Sequence, residues 1–140
     1  MAHDKKEYNR KRQKSWRKRN QFKYRVSTML QSVKKRNGTK LIREEMIDAL
    51  QNALEKGICN YCNETLLASI ASIDHKVPIS RNGTSEWENL QIICKSCNTA
   101  KGSLTGEEFD AILKVMKEYP EAKKEILKRL KYSGNIYGRR

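Results

Sequence analysis

Cys59, Cys62, Cys94 and Cys97 form two C-x-x-C pairs separated by thirty-one residues. Paired cysteines at this spacing suit a chelate in which four thiolates hold one Zn²⁺. Four thiolates complete a tetrahedron and leave no open position, so such a zinc is structural. Two disulfides are the alternative, but a reducing compartment and the doubled C-x-x-C spacing argue for the chelate. The gap is longer than in a compact zinc ribbon, so a small subdomain must fit between the pairs. Inside it lies Ser72-Ile73-Asp74-His75. His75 is the only histidine beyond His3, so chemistry that needs an imidazole base must use it.

From Asp74-His75 the chain continues Lys76-Val77-Pro78-Ile79-Ser80-Arg81-Asn82-Gly83-Thr84, then Trp87-Glu88-Asn89-Leu90-Gln91. It reaches Cys94-Lys95-Ser96-Cys97-Asn98-Thr99-Ala100-Lys101-Gly102. Over about residues 57–105 this order closely resembles the cysteine-rich members of the HNH endonuclease family. Their pattern is D-H…P…S-x-x-G…N-L…C-x-x-C-[HN]-x-x-K. The resemblance implies an α+β, mainly helical chain with a ββα-metal (His-Me finger) core, a four-cysteine zinc site and flanking helices. It implies a metal-dependent DNA endonuclease. His75 would be the general base, and Asp74 and Asn98 would be ligands of the catalytic ion. Asn89 would hold the loop and orient His75, and Lys101 would lie near the phosphate or the metal site. It also points to a bacteriophage setting, with a packaging or restriction assembly as a candidate partner and the cytoplasm of a bacterial host as the compartment.

The chemistry is consistent with those roles. Hydrolysis of a phosphodiester needs an activated water and relief of charge on the leaving oxygen. A neutral imidazole takes a proton near neutral pH, and a bound cation stabilises the departing oxyanion. Oxygen ligands favour Mg²⁺ or Mn²⁺, and Asn98, standing where the family also uses His, tilts the site toward Mg²⁺.

The elements that must position these residues follow from the pattern. The 140 residues suffice for one domain with a modest core. The periodicity predicts a helix from Phe22 to the stop at Asn37-Gly38, and a second over about 42–56 ending at Gly57. Residues 58–67 read as a turn that holds the first cysteine pair. Short strands are expected at 70–74 and 90–93, with a loop over 75–86. A short helix opens at Asn98 and ends by Gly102. Thr105 and Glu108 make a capping box for a helix to about Tyr119, which Pro120 breaks. A last helix follows, ended by Gly134. The divisions are a basic arm (1–38), the core (39–105) and C-terminal helices (106–140).

Charge is segregated along the chain. Residues 1–40 carry fifteen Lys and Arg against Asp4 and Glu7, and the remainder carries fifteen against fourteen acids. This is the footprint of a polyanion binder, with DNA ahead of an anionic membrane surface. No apolar run is long enough to span a bilayer and no secretory signal appears. The phosphate-contacting candidates are Arg10, Lys11, Arg12, Arg17, Lys18, Arg19, Lys23 and Arg25, with Lys76 and Arg81 beside the base. The first part of the basic, polar stretch 4–25 reads as disordered, or as helical only on DNA. Deleting residues 1–36 is expected to flatten the salt dependence of binding and spare the zinc site.

Overall fold

The computed structural model describes residues 2–37 and 41–137. The chain opens with two helices, α1 (Ala2–Arg19) and α2 (Gln21–Asn37). The joint is tight: the Asn20 amide donates to Trp16 O and the Tyr24 amide to Asn20 O, both at 2.9 Å. Of the two expectations for the first part of residues 4–25, disorder or a helix formed on DNA, the structure has the helix. Residues 2–37 contain no Gly or Pro and are rich in Lys, Arg and Gln, which are good helix formers. The packed α2 supplies the costly first turn from which α1 can extend. Gly38, half of the expected stop, lies outside the described residues; α2 ends at Asn37.

α2 buries Val26, Met29 and Val33 and packs on α3 (Arg43–Lys56), which buries Met46 and Leu50. Each such side chain contributes about 1.5–3 kcal/mol when removed from water. Gly57 closes α3 at φ 72°, a left-handed position that glycine takes without a steric cost.

β1 (Ala71–His75) and β2 (Leu90–Cys94) form an antiparallel pair with Ala71 opposite Cys94, Asp74 opposite Gln91 and His75 opposite Leu90. α4 (Lys95–Lys101) follows β2 directly and packs against both strands. It begins three residues before the expected start at Asn98. Cys94 caps it, its Sγ accepting the Cys97 amide at 3.4 Å, so the second cysteine pair straddles the helix start.

The two strands and α4 are the ββα unit. α5 (Gly106–Glu118) opens on the expected Thr105–Glu108 capping box, and α6 (Lys123–Tyr137) packs on α4. Gly134 does not end α6. One glycine costs a helix about 1 kcal/mol, which packing overrides, and Leu127 and Leu130 lie against the core. No helix among the described residues is long and apolar enough to cross a membrane.

Candidate active site and metal centres

The first cysteine pair sits on a knuckle. The Cys59 amide donates to Glu64 O, the Asn63 amide to Cys59 O, and Ile58 bridges Thr65. Asn63 turns the chain at φ 58°. With the second pair at the β2–α4 junction, the four Sγ atoms lie within 4.8 Å of one another, and Cys62 Sγ is 3.8 Å from Cys94 Sγ. Four sulfurs about 2.3 Å from a central zinc stand about 3.8 Å apart, whereas a disulfide needs about 2.05 Å. The cluster therefore has the spacing of a zinc shell, and all four cysteines are free.

Burial opposes ionisation of Cys59, but the backbone amides of Cys94, Cys62 and Tyr61 outweigh it and hold the thiol at about 7. Burial first, and then the neighbouring sulfurs, push Cys97 upward. A cation entering the shell must displace that proton, so its affinity falls with falling pH.

The second constellation spans β1 and α4. Ser72 and Asp74 share one side of β1 at the strand period of two. Asn98 and Lys101, three apart, share one side of α4. The two rows meet. Asn98 Nδ2 donates to Ser72 Oγ at 2.6 Å and to Ile73 O at 3.2 Å. Lys101 Nζ donates to Asp74 Oδ1 at 3.2 Å and to His75 O at 2.8 Å. Asp74 Oδ2 accepts from Gln91 Nε2 at 2.9 Å, and Gln91 also donates to the Tyr61 hydroxyl. Unlike Asn63, Asn98 has right-handed helical backbone, so no left-handed turn accounts for it.

His75 ends β1, buried at 6 % exposure, with Nε2 2.9 Å from Ser85 Oγ. Asn89 braces the loop beyond it. Its Oδ1 accepts the Val77 amide, and its Nδ2 donates to Val77 O and Thr84 O. The Lys76 amide donates to Asn89 O, which fixes the chain one residue past His75. Gly83 is required inside this loop, since a Cβ there would stand 1.8 Å from Val77 O.

The expected site residues divide by placement. Asp74, Asn98 and Lys101 come together, with His75 and Asn89 at the adjoining strand end. Lys101 is 1 % exposed. It lies beside Asp74, and its side chain does not reach outward toward a substrate phosphate. Arg25 departs from the phosphate-contacting role expected of it. It is buried, and its guanidinium donates to Ala68 O and Ser69 O, tying α2 to the segment before β1. Arg81 pairs with Glu108 on α5, which holds that carboxyl down at about 2. Lys76 Nζ donates to Glu88 O at 3.0 Å. Arg10, Lys11, Arg12, Arg17, Lys18, Arg19 and Lys23 are exposed along α1 and the start of α2.

Sequence reasoning passed over Ser72, Ser85 and Gln91. Gln91 was within reach, because pairing the two strands by their apolar residues sets it opposite Asp74. Ser85 carries no such signal in a polar loop.

The oxygen donors suit a hard divalent ion. Each Asp74 oxygen keeps a lone pair beyond the hydrogen bond it accepts, and Asn98 spends its hydrogen bonds through Nδ2, so Oδ1 is the atom it can offer. Lys101 sits on the same carboxylate, so an entering cation meets a like charge.

A search of the curated proteins found no match to the chain. The family model for HNH endonuclease matches residues 59–104, which run from the first zinc-type cysteine through the ββα unit. That segment is similar to the HNH endonuclease family, and the family implies a nuclease that acts on DNA.

Proposed function

We propose that the protein hydrolyses DNA phosphodiester bonds with His75 as general base and one divalent ion, Mg²⁺ or Mn²⁺, held by Asp74 and Asn98. The observation that carries this reading is the meeting of Asp74, Asn98 and Lys101 across β1 and α4, with His75 next along the strand. When bound, the ion supplies charge stabilisation for the leaving oxygen. His75 takes the proton of the attacking water at its imidazole. Ser85 holds the ring through Nε2. Asn89 keeps the strand end and the following loop in register, so that the imidazole does not swing.

Lys101 and Gln91 fix the Asp74 carboxylate from two directions. The ammonium already neutralises that carboxylate, so the free protein should hold the divalent ion weakly. A DNA phosphate supplies the missing negative charge. Zinc bound to the four cysteines ties the first knuckle to the β2–α4 junction and stays away from substrate.

The test uses relaxation of supercoiled plasmid in Mg²⁺ and Mn²⁺ by Asp74→Asn and Asn98→Ala. Both should lose roughly 10²-fold or more at fixed metal, and Asn98→Ala should recover in part at high Mn²⁺. Wild-type rates in both variants would end the ligand assignment.

A further inference from the structure

α1 is an exposed helix with an ordered arrangement of charge. Every side chain from Asp4 to Arg19 is exposed, so none is committed to a core. At about 100° per residue, nine bases and two acids sort into lanes along the helix. Asn9, Gln13 and Trp16 occupy one uncharged lane. Lys5, Arg12 and Arg19 flank it on one side, and Lys6, Arg10 and Arg17 on the other. The back of the helix carries both acids, Asp4 and Glu7, together with Lys11, Lys14 and Lys18, and Lys11 pairs with Glu7 at 3.1 Å. The uncharged lane is also concave. Asn9, Arg12, Gln13, Trp16, Arg17 and, past the joint, Tyr24 line an open groove of about 520 Å³.

A helix lying along the outside of a duplex meets phosphate on one face only. A helix in the major groove has a sugar–phosphate wall on each side and base edges in front, and the groove, about 12 Å wide, admits one helix. Two basic rows flanking a lane of amide side chains, with the acids turned away, match the second arrangement. Asn and Gln are the side chains that pair bidentately with adenine N6 and N7.

We propose that α1 is a base-reading helix that enters the major groove of duplex DNA, with Asn9 and Gln13 directed at base edges and the two flanking basic rows on the backbones. This deepens the DNA-nuclease reading and rests on it for the identity of the polymer. The groove does not favour single-stranded stacking. The Tyr24 ring is already covered by the Arg17 guanidinium at 5.0 Å, with Arg25 at 5.9 Å.

The test is selection from a randomised duplex library by the full zinc-loaded chain carrying His75→Ala, without Mg²⁺, so that binding is read apart from cleavage. The expected result is an enriched motif containing adenine. Asn9→Ala/Gln13→Ala should weaken the selected site roughly tenfold or more and leave unselected duplex within about twofold. Arg12→Ala/Arg17→Ala should weaken both DNAs and lower the salt slope by about two, while Lys11→Ala/Lys18→Ala changes far less. All these positions are exposed, and far-ultraviolet circular dichroism checks that the variants keep the helix. No enriched motif, equal loss on both DNAs in the Asn9/Gln13 variant, or tighter binding of the same sequence as single-stranded DNA or RNA would overturn the proposal. A wild-type chain that binds a motif but never cleaves would sink the nuclease reading and leave this one standing.

Discussion

The arm and the ββα unit are opposites. Along α1 every side chain from Asp4 to Arg19 is exposed, and the Lys11–Glu7 ion pair there is bathed in solvent. In the ββα unit Asp74, His75 and Lys101 are each at most 6 % exposed and held by two or more elements. On the proposed function, the difference separates two tasks. Attraction to a polyanion needs charge in quantity and tolerates mobile side chains. Hydrolysis needs a few groups fixed within a fraction of an ångström, which burial and hydrogen bonds provide. Changes in the arm should therefore alter binding and its salt dependence. Changes in the ββα unit should alter stability or rate.

The largest effect expected is from zinc. Cys94→Ser removes a ligand and unsettles the cap of α4 together. One zinc per chain should be lost by elemental analysis, and with it most of the cooperative thermal transition, since such a site contributes folding energy outright. Zinc retention should also fall as pH is lowered, because protons compete at Cys97.

Removal of α1 comes next. Deleting residues 1–36 would strip Val26, Met29 and Val33 from the core, so the structure moves the cut to residues 1–19, which still removes nine bases. The slope of log K against log salt should fall by several, at about 0.9 per lost phosphate contact, with the melting temperature nearly unchanged. An unchanged slope would merge the two tasks again.

Lys101→Met is third. It leaves Asp74 buried without its cation, which should cost about 3–5 kcal/mol in denaturant unfolding without divalent ions. Calorimetry should show tighter Mn²⁺ binding in the absence of DNA, because the like charge is gone. Weaker binding would mean that the ammonium builds the site. The smallest effect belongs to Arg81→Ala, which breaks only an exposed pair and should leave the melting temperature close to wild type.

Much of the candidate site's arrangement was legible because its residues carry positional meaning. The cysteine spacing located the four-sulfur cluster, and Thr105–Glu108 and Gly57 located helix ends by capping chemistry. The HNH pattern singled out Asp74, His75, Asn89, Asn98 and Lys101. Less legible was what depends on tertiary partners. Nothing local says that Arg25, in a run of bases, turns inward to the carbonyls of Ala68 and Ser69. Nothing local sets Ser85 against His75, since a loop serine looks the same whether buried or wet. The order of α1 depends on its continuity with a packed α2, which composition alone does not reveal.

On the proposed function, His75 carries the chemistry while the arm carries the affinity. That division is tested most directly by comparing wild type and His75→Ala in two assays on one DNA: Mg²⁺- or Mn²⁺-dependent nicking, and equilibrium binding without a divalent ion. Nicking by His75→Ala should fall roughly 10²–10⁴-fold, with binding within about twofold of wild type. Equal nicking by the two proteins would contradict it.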